Sequence, residues 1–138
     1  MEEIYLFVYG TLMKKFPENP FKNLLSQELT YVGEAYTYGK LFLVDYYPGF
    51  IPDSTGEKRK VWGEILKVKT PEIVFGRLDE YEDFFPDFKD KSIYTREMQD
   101  CFLIESEIKI KCNVYFYNQP TCKLKKISSG NFIDKKYK

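Results

Sequence analysis

Apolar residues run without a break through Ile4-Tyr5-Leu6-Phe7-Val8-Tyr9. An uninterrupted run of that length predicts a strand buried on both faces, not the alternating pattern of a half-exposed one. Gly10 ends it. Residues 13–20 read as a loop, and a short helix is expected over 20–27 with Pro20 in its first turn. From Leu29 to Asp45 the pattern is β-like but broken at Gly33 and Gly39, which predicts two strands or one strongly bent strand. Tyr47-Pro48-Gly49-Phe50 has the chemistry of a turn, and the polar stretch Ile51 to Lys60 that of an exposed hairpin loop. Val61 to Val68 is a further strand. Thr70-Pro71-Glu72 predicts a helix start, with a capping hydroxyl, proline at the first position and an acid near the positive end of the dipole. That helix is expected to reach about Glu82. Phe84 to Lys91 is expected to be loop. Ser92 to Ile104 and Glu107 to Asn118 are two strands joined near Glu105-Ser106, and the end from Asn131 is loose. Many strands, few short helices and no βαβ repeat predict an α+β fold built on a small mixed β-barrel. One domain, 1–138, accounts for the length.

Twelve Tyr and twelve Phe favour this β-rich reading, because aromatic rings fit a pleated, half-buried surface and also line small-molecule pockets. Lys+Arg and Asp+Glu both number 21, so the net charge is zero and nothing supplies the basic surface that nucleic-acid binding needs. Lys125-Lys126 and Lys135-Lys136-Tyr137-Lys138 read as solvated surface. No stretch approaches the roughly 20 apolar residues of a membrane-spanning helix. The first apolar run is too short, and too acidic in its flank, for a secretory signal. Cys101, Cys112 and Cys122 show neither metal-ligand spacing nor a disulfide framework. A cytoplasmic location is therefore expected. The chain has no His. That removes Ser-His and Cys-His nucleophiles and imidazole metal ligands, and leaves a carboxylate with a raised pKa as the leading acid/base, ahead of Tyr, Lys and Cys.

On a helical wheel of the 70–82 segment, Val74, Leu78 and Tyr81 form the apolar stripe. Phe75 sits at one edge of it, and Glu82 falls on the same edge. Glu80 points nearly opposite, and Asp79 and Asp83 lie further round than Glu82. Glu82 is thus the acid carried closest to the buried face. Burial and like-charged neighbours would raise its pKa above the reference of about 4.3 and suit it to general acid/base work. On the wheel alone, a Glu82 that frays into solvent at the helix end is the plainer reading. Tyr9-Gly10-Thr11-Leu12 follows a buried strand, where glycine allows successive amides to converge on an anion; an ordinary turn is the plain alternative. Tyr94 and Arg96 share one face of a strand and could close a pocket or bind a carboxylate through the Arg fork, or be a surface pair. Tyr115 and Tyr117 face one way, as barrel core or pocket wall. Phe84, Phe85 and Phe88 form an aromatic loop, a lid or an interface.

In order along the chain, Val8-Tyr9-Gly10-Thr11-Leu12, Tyr47-Pro48-Gly49, Trp62-Gly63-Glu64, Leu78-Asp79-Glu80-Tyr81-Glu82, Tyr94-Thr95-Arg96, Val114-Tyr115-Phe116-Tyr117 and Ile127-Ser128-Ser129-Gly130-Asn131-Phe132 resemble the gamma-glutamylcyclotransferase-like superfamily. The resemblance spans nearly the whole chain, and Thr11 looks more like the gamma-glutamylamine cyclotransferase and AIG2-like branch than the glutathione-specific one. It implies a small barrel with flanking helices and a Tyr9–Leu12 loop whose amides hold the substrate's α-carboxylate. It also implies Glu82 as acid/base, Tyr94, Arg96 and Tyr115 at the substrate, and no cofactor. The implied reaction releases 5-oxoproline from a gamma-glutamyl amine or peptide. The alternative is a non-catalytic module on the same fold that binds a small carboxylate. The sequence departs from the family pattern at Asp83, where glycine commonly follows the Glu, in the longer 84–91 segment, and at Met13-Lys14-Lys15-Phe16.

Overall fold

A computed structural model describes residues 3–10, 27–44 and 47–132. The strands are β1 (Ile4–Val8), β2 (Leu29–Leu43), β3 (Pro48–Pro52), β4 (Lys60–Val68), β5 (Tyr94–Leu103), β6 (Lys109–Tyr117) and β7 (Lys125–Lys126). One α-helix, α1 (Pro71–Tyr81), and a 3-10 helix (Pro86–Lys91) lie between β4 and β5. The strands β2, β4, β1, β6 and β5 pair in that order. A short contact of β2 with β5, through Ala35↔Leu103 and Tyr36↔Phe102, closes them into a barrel. The β1–β6 contact is parallel and the other pairings are antiparallel, so the barrel is mixed.

The continuous apolar run of β1 has the expected cause. Leu6 and Val8 point to a layer shared with α1, whereas Phe7 and the following Tyr9 point into the barrel. The barrel interior is filled from every strand around it, with Ala35, Ile65, Cys101, Val114 and Phe116 among its buried side chains. The outer layer packs Val74, Phe75 and Leu78 of α1 on Leu66, Val68, Tyr94 and Tyr115. Two strand faces and one helix stripe thus account for both halves of the core.

β2 is one continuous strand with two duties. Its register slips between Tyr31 and Gly33. It pairs with β4 as far as Tyr38↔Lys60, then with β3 from Gly39↔Pro52 onward. Several expectations change here. Pro48–Pro52 is a strand and not a turn, because β3 lies at the sheet edge and carries its prolines at its two ends, where a missing amide donor costs no ladder bond. The hairpin loop after it is ordered by Asp53, whose carboxylate accepts from the amides of Thr55, Gly56 and Lys58. The segment expected as loop before β5 contains the 3-10 helix, held by the Ser92 hydroxyl. That hydroxyl accepts from the Phe85 amide at 2.7 Å and lies 3.3 Å from the Phe85 carbonyl and 3.2 Å from that of Phe88. Of its aromatics, Phe84 is core, whereas Phe85 and Phe88 are exposed. Thr70 occupies the N-cap of α1, but its hydroxyl makes no cap bond; its carbonyl accepts from Ile73 and Val74. The expected 20–27 helix lies outside the described residues except at Gln27, which is helical together with Glu28.

Candidate functional site

Glu82 is placed by the way α1 ends. The amide of Glu82 donates to the Leu78 carbonyl, that of Asp83 to Glu80, and that of Phe84 reaches back to Asp79. Asp83 has φ 52°, in the left-handed region. This is a Schellman ending with an aspartate where glycine is usual. The hydrophobic contact that accompanies such an ending is present, since Phe84 joins Phe75 and Leu78 in the core. Glu82 is therefore the C-cap and is turned inward instead of fraying. It lines a cavity of about 190 Å³.

The cavity draws on five segments. Phe7, Val8, Tyr9 and Gly10 come from β1 and its end, Tyr47 and Pro48 from the entry to β3, and Tyr81, Glu82 and Asp83 from the end of α1. Ile93 and Tyr94 come from the start of β5, and Tyr115 from β6. Gly10 is required by close approach, because a Cβ there would lie 2.7 Å from the Pro48 ring. Of the expected site residues, Tyr9, Gly10, Glu82, Tyr94 and Tyr115 meet at this cavity. Thr11 and Leu12 lie outside the described residues. Arg96 does not line the cavity. Its fork is taken up by the chain's own Asp79, at 2.9 and 3.2 Å, and a third nitrogen lies 3.3 Å from Asn113 Oδ1. The wheel placed Asp79 further round from the apolar stripe than Glu82, and this partner from β5 holds its carboxylate. Tyr81, assigned to the apolar stripe, is exposed and rims the cavity. Tyr47, Pro48 and Ile93 were not singled out as site residues, although Tyr47-Pro48 had a motif of its own.

Burial is the main cause, and the Asp83 carboxylate the second, that raises the Glu82 pKa from 4.5 to about 7. The tyrosines around it stay protonated far above neutrality, mainly through burial, with the Glu82 charge adding to the effect on Tyr9, Tyr94 and Tyr115. Each of the three hydroxyls already donates to protein. Tyr94 donates to the Pro48 carbonyl at 2.7 Å, Tyr9 to the Tyr115 carbonyl, and Tyr115 to the Asp79 carboxylate. Their oxygen lone pairs can still accept. With no Lys or Arg among the described lining residues, the side chains around Glu82 offer acceptors and a base. That suits a ligand's ammonium group. A carboxylate on the same ligand would need backbone amides.

Asp83→Gly should relieve the left-handed strain and remove the neighbouring charge. The expected result is a gain of about 1 kcal/mol in stability by denaturant titration and a Glu82 titration shifted to lower pH. An unchanged midpoint would show that Asp83 does not act on Glu82.

The family model for gamma-glutamyl cyclotransferase, AIG2-like matches residues 6–134. Among solved structures, YkqA from Bacillus subtilis is similar at 25% identity over 94% of this chain, with a TM-score of 0.67. The match spans 39% of YkqA, so the chain covers well under half the length of that relative. An AIG2-like protein from Mus musculus matches at 23% identity and TM-score 0.67, over 87% of this chain and 81% of its own. The ytfP protein from Escherichia coli matches at 21% identity and TM-score 0.62, over 96% of this chain and 99% of its own. No curated protein matches the chain closely enough to count as a relative.

Proposed function

Since the chain belongs to the gamma-glutamyl cyclotransferase, AIG2-like family, we propose that it cyclises a gamma-glutamyl amine or peptide to 5-oxoproline with Glu82 as general base and acid. The observation that carries this reading is one partly buried carboxyl, its pKa raised to about 7, in a cavity also lined by Tyr9, Gly10, Tyr94 and Tyr115.

The substrate's α-ammonium sits among acceptors and gives one proton to the Glu82 carboxylate. The freed amine attacks the gamma-carbonyl carbon, forming the lactam C–N bond. The old amide C–N bond then breaks as the leaving amine takes the proton back from Glu82, and the re-ionised carboxylate removes the second proton from the new lactam nitrogen and passes it to the departing amine, which leaves as an ammonium. One carboxyl handles all of these transfers, which is efficient when its pKa lies near the working pH. Nucleophile and electrophile belong to one molecule, so holding it folded supplies a large effective molarity. The Tyr9–Leu12 loop is assigned the α-carboxylate through its amides. Tyr94 and Tyr115 pack against the glutamyl portion.

We place the protein in the cytoplasm, acting on a small molecule with no nucleic acid, membrane or cofactor involved. Supporting this, Cys101, Cys112 and Cys122 are free thiols. Among the described residues, no helix is long and apolar enough to cross a membrane.

The test is mass-spectrometric detection of 5-oxoproline from a panel of gamma-glutamyl amines, gamma-glutamyl dipeptides and glutathione. Product from at least one member is the expected result. No product from any of them, together with thermal stabilisation by a panel member, would replace the enzyme with a carboxylate-binding module.

A further inference from the structure

Behind the cavity lies a charged group that the reaction above does not use. Asp79 and Arg96 form a fork-shaped ion pair, with side chains 17% and 25% exposed. The guanidinium carbon also lies over the Phe75 ring, 4.1 Å from its centre. Asp79 accepts a third hydrogen bond from the Tyr115 hydroxyl. One carboxylate thus joins α1 to β5 and β6, the two strands that bring Tyr94 and Tyr115 to the cavity. Asp79 also stands three residues before Glu82 on the same helix, where side chains at that spacing are neighbours.

We propose that Asp79 and Arg96 are a positioning pair for Glu82, fastening the end of α1 to the Tyr115 wall and cancelling each other's charge beside the catalytic carboxyl. The assignment of Glu82 as catalytic rests on the function proposed above; the electrostatic coupling does not.

Asp83 follows Glu82 in the chain and acts on it, whereas Asp79 stands three residues before it on the same helix, paired to Arg96 of β5. The titratable groups facing it from β1, β5 and β6 are Tyr9, Tyr94 and Tyr115, all neutral near pH 7. Tyr47 and Tyr81 stand at the same cavity and add no charge at that pH. With the pair intact, burial and Asp83 are what act on Glu82. Removing Arg96 alone would leave the Asp79 charge facing Glu82 and favour its protonated form. Removing the Asp79 charge alone would leave an unpaired guanidinium and favour the ionised form. Because side chains three apart on a helix are neighbours, shifts of opposite sign are expected for the two variants. A pair that only packed the core would not produce shifts of opposite sign.

The experiment is a carboxyl-carbon NMR titration of Glu82 in the wild type and in Asp79→Asn, Arg96→Met and the double variant. The expected result is a lower midpoint in D79N, a higher one in R96M, and a return to the wild-type value in the double. Asp79→Asn keeps the side-chain volume and an acceptor for Arg96 and Tyr115, so its downward shift decides the matter where R96M does not fold. A D79N midpoint that stays at or above the wild-type value overturns the proposal. The titration needs no turnover. An inactive enzyme with opposite shifts would sink the cyclotransferase assignment and leave the charge pairing standing.

Discussion

Glu82→Gln should lower kcat for 5-oxoproline release by about 10²–10⁴-fold, the usual contribution of a general acid/base, with the fold retained. Gln keeps the volume and hydrogen-bonding capacity of the protonated acid, so the Schellman ending, built from main-chain bonds at Leu78, Glu80 and Asp79, is undisturbed. What disappears is the ability to take a proton from the α-ammonium and return one to the leaving amine. With wild type, kcat/KM for a working panel substrate should climb with pH and level off above about 7, where Glu82 becomes ionised. Wild-type turnover in the Gln variant would remove Glu82 from the chemistry. A flat profile between pH 5 and 8 would instead remove the raised pKa.

The same group makes stability depend on pH. Its pKa is 4.5 in an open chain and about 7 in the fold, so folding favours the protonated form. Below about 4.5 both states carry the proton and this stabilisation is fully present. It falls as pH rises from about 4.5 and is fully lost once the pH passes about 7. The loss amounts to about 3 kcal/mol. Glu82→Gln cannot ionise. It should match wild type near pH 4 and exceed it by up to about 3 kcal/mol at pH 8 in denaturant titrations. Parallel curves for the two proteins across this range would mean that Glu82 is not desolvated. A variant that gains stability as it loses activity is the pattern expected of a residue held in an unfavourable environment for function.

Local signals carried much of the fold and part of the site. The unbroken run of β1 predicted burial on both faces, and the wheel brought Glu82 to the core edge through the geometry of α1 alone. What the wheel could not contain was Arg96, which arrives from β5. The wheel therefore placed Asp79 further round from the stripe than Glu82 and left Tyr81 on that stripe. Pro48 and Pro52 hid β3, because proline signals a turn unless the strand is known to be an edge, and edges are a property of the assembled sheet. The 3-10 helix at Pro86 depends on Ser92, a residue beyond its own span. Arg96 was read as a fork for a ligand carboxylate; the fork is present, and an aspartate of the same chain fills it. The family resemblance named the 9–12 loop, of which the described residues include Tyr9 and Gly10.

The closure of the barrel also bears on how the chain reaches this state. β1 meets β6 through a parallel contact at Leu6↔Asn113, and β2 meets β5 through two residue pairs. Both seams join segments made early in synthesis to segments made late. Contacts of such high sequence separation slow folding, because the loop must close before the contact can reward it. Tyr115 lies two positions beyond Asn113 on the strand that completes the parallel seam. A nascent chain that has not yet released β6 from the ribosome therefore lacks both the parallel seam and the Tyr115 wall of the cavity.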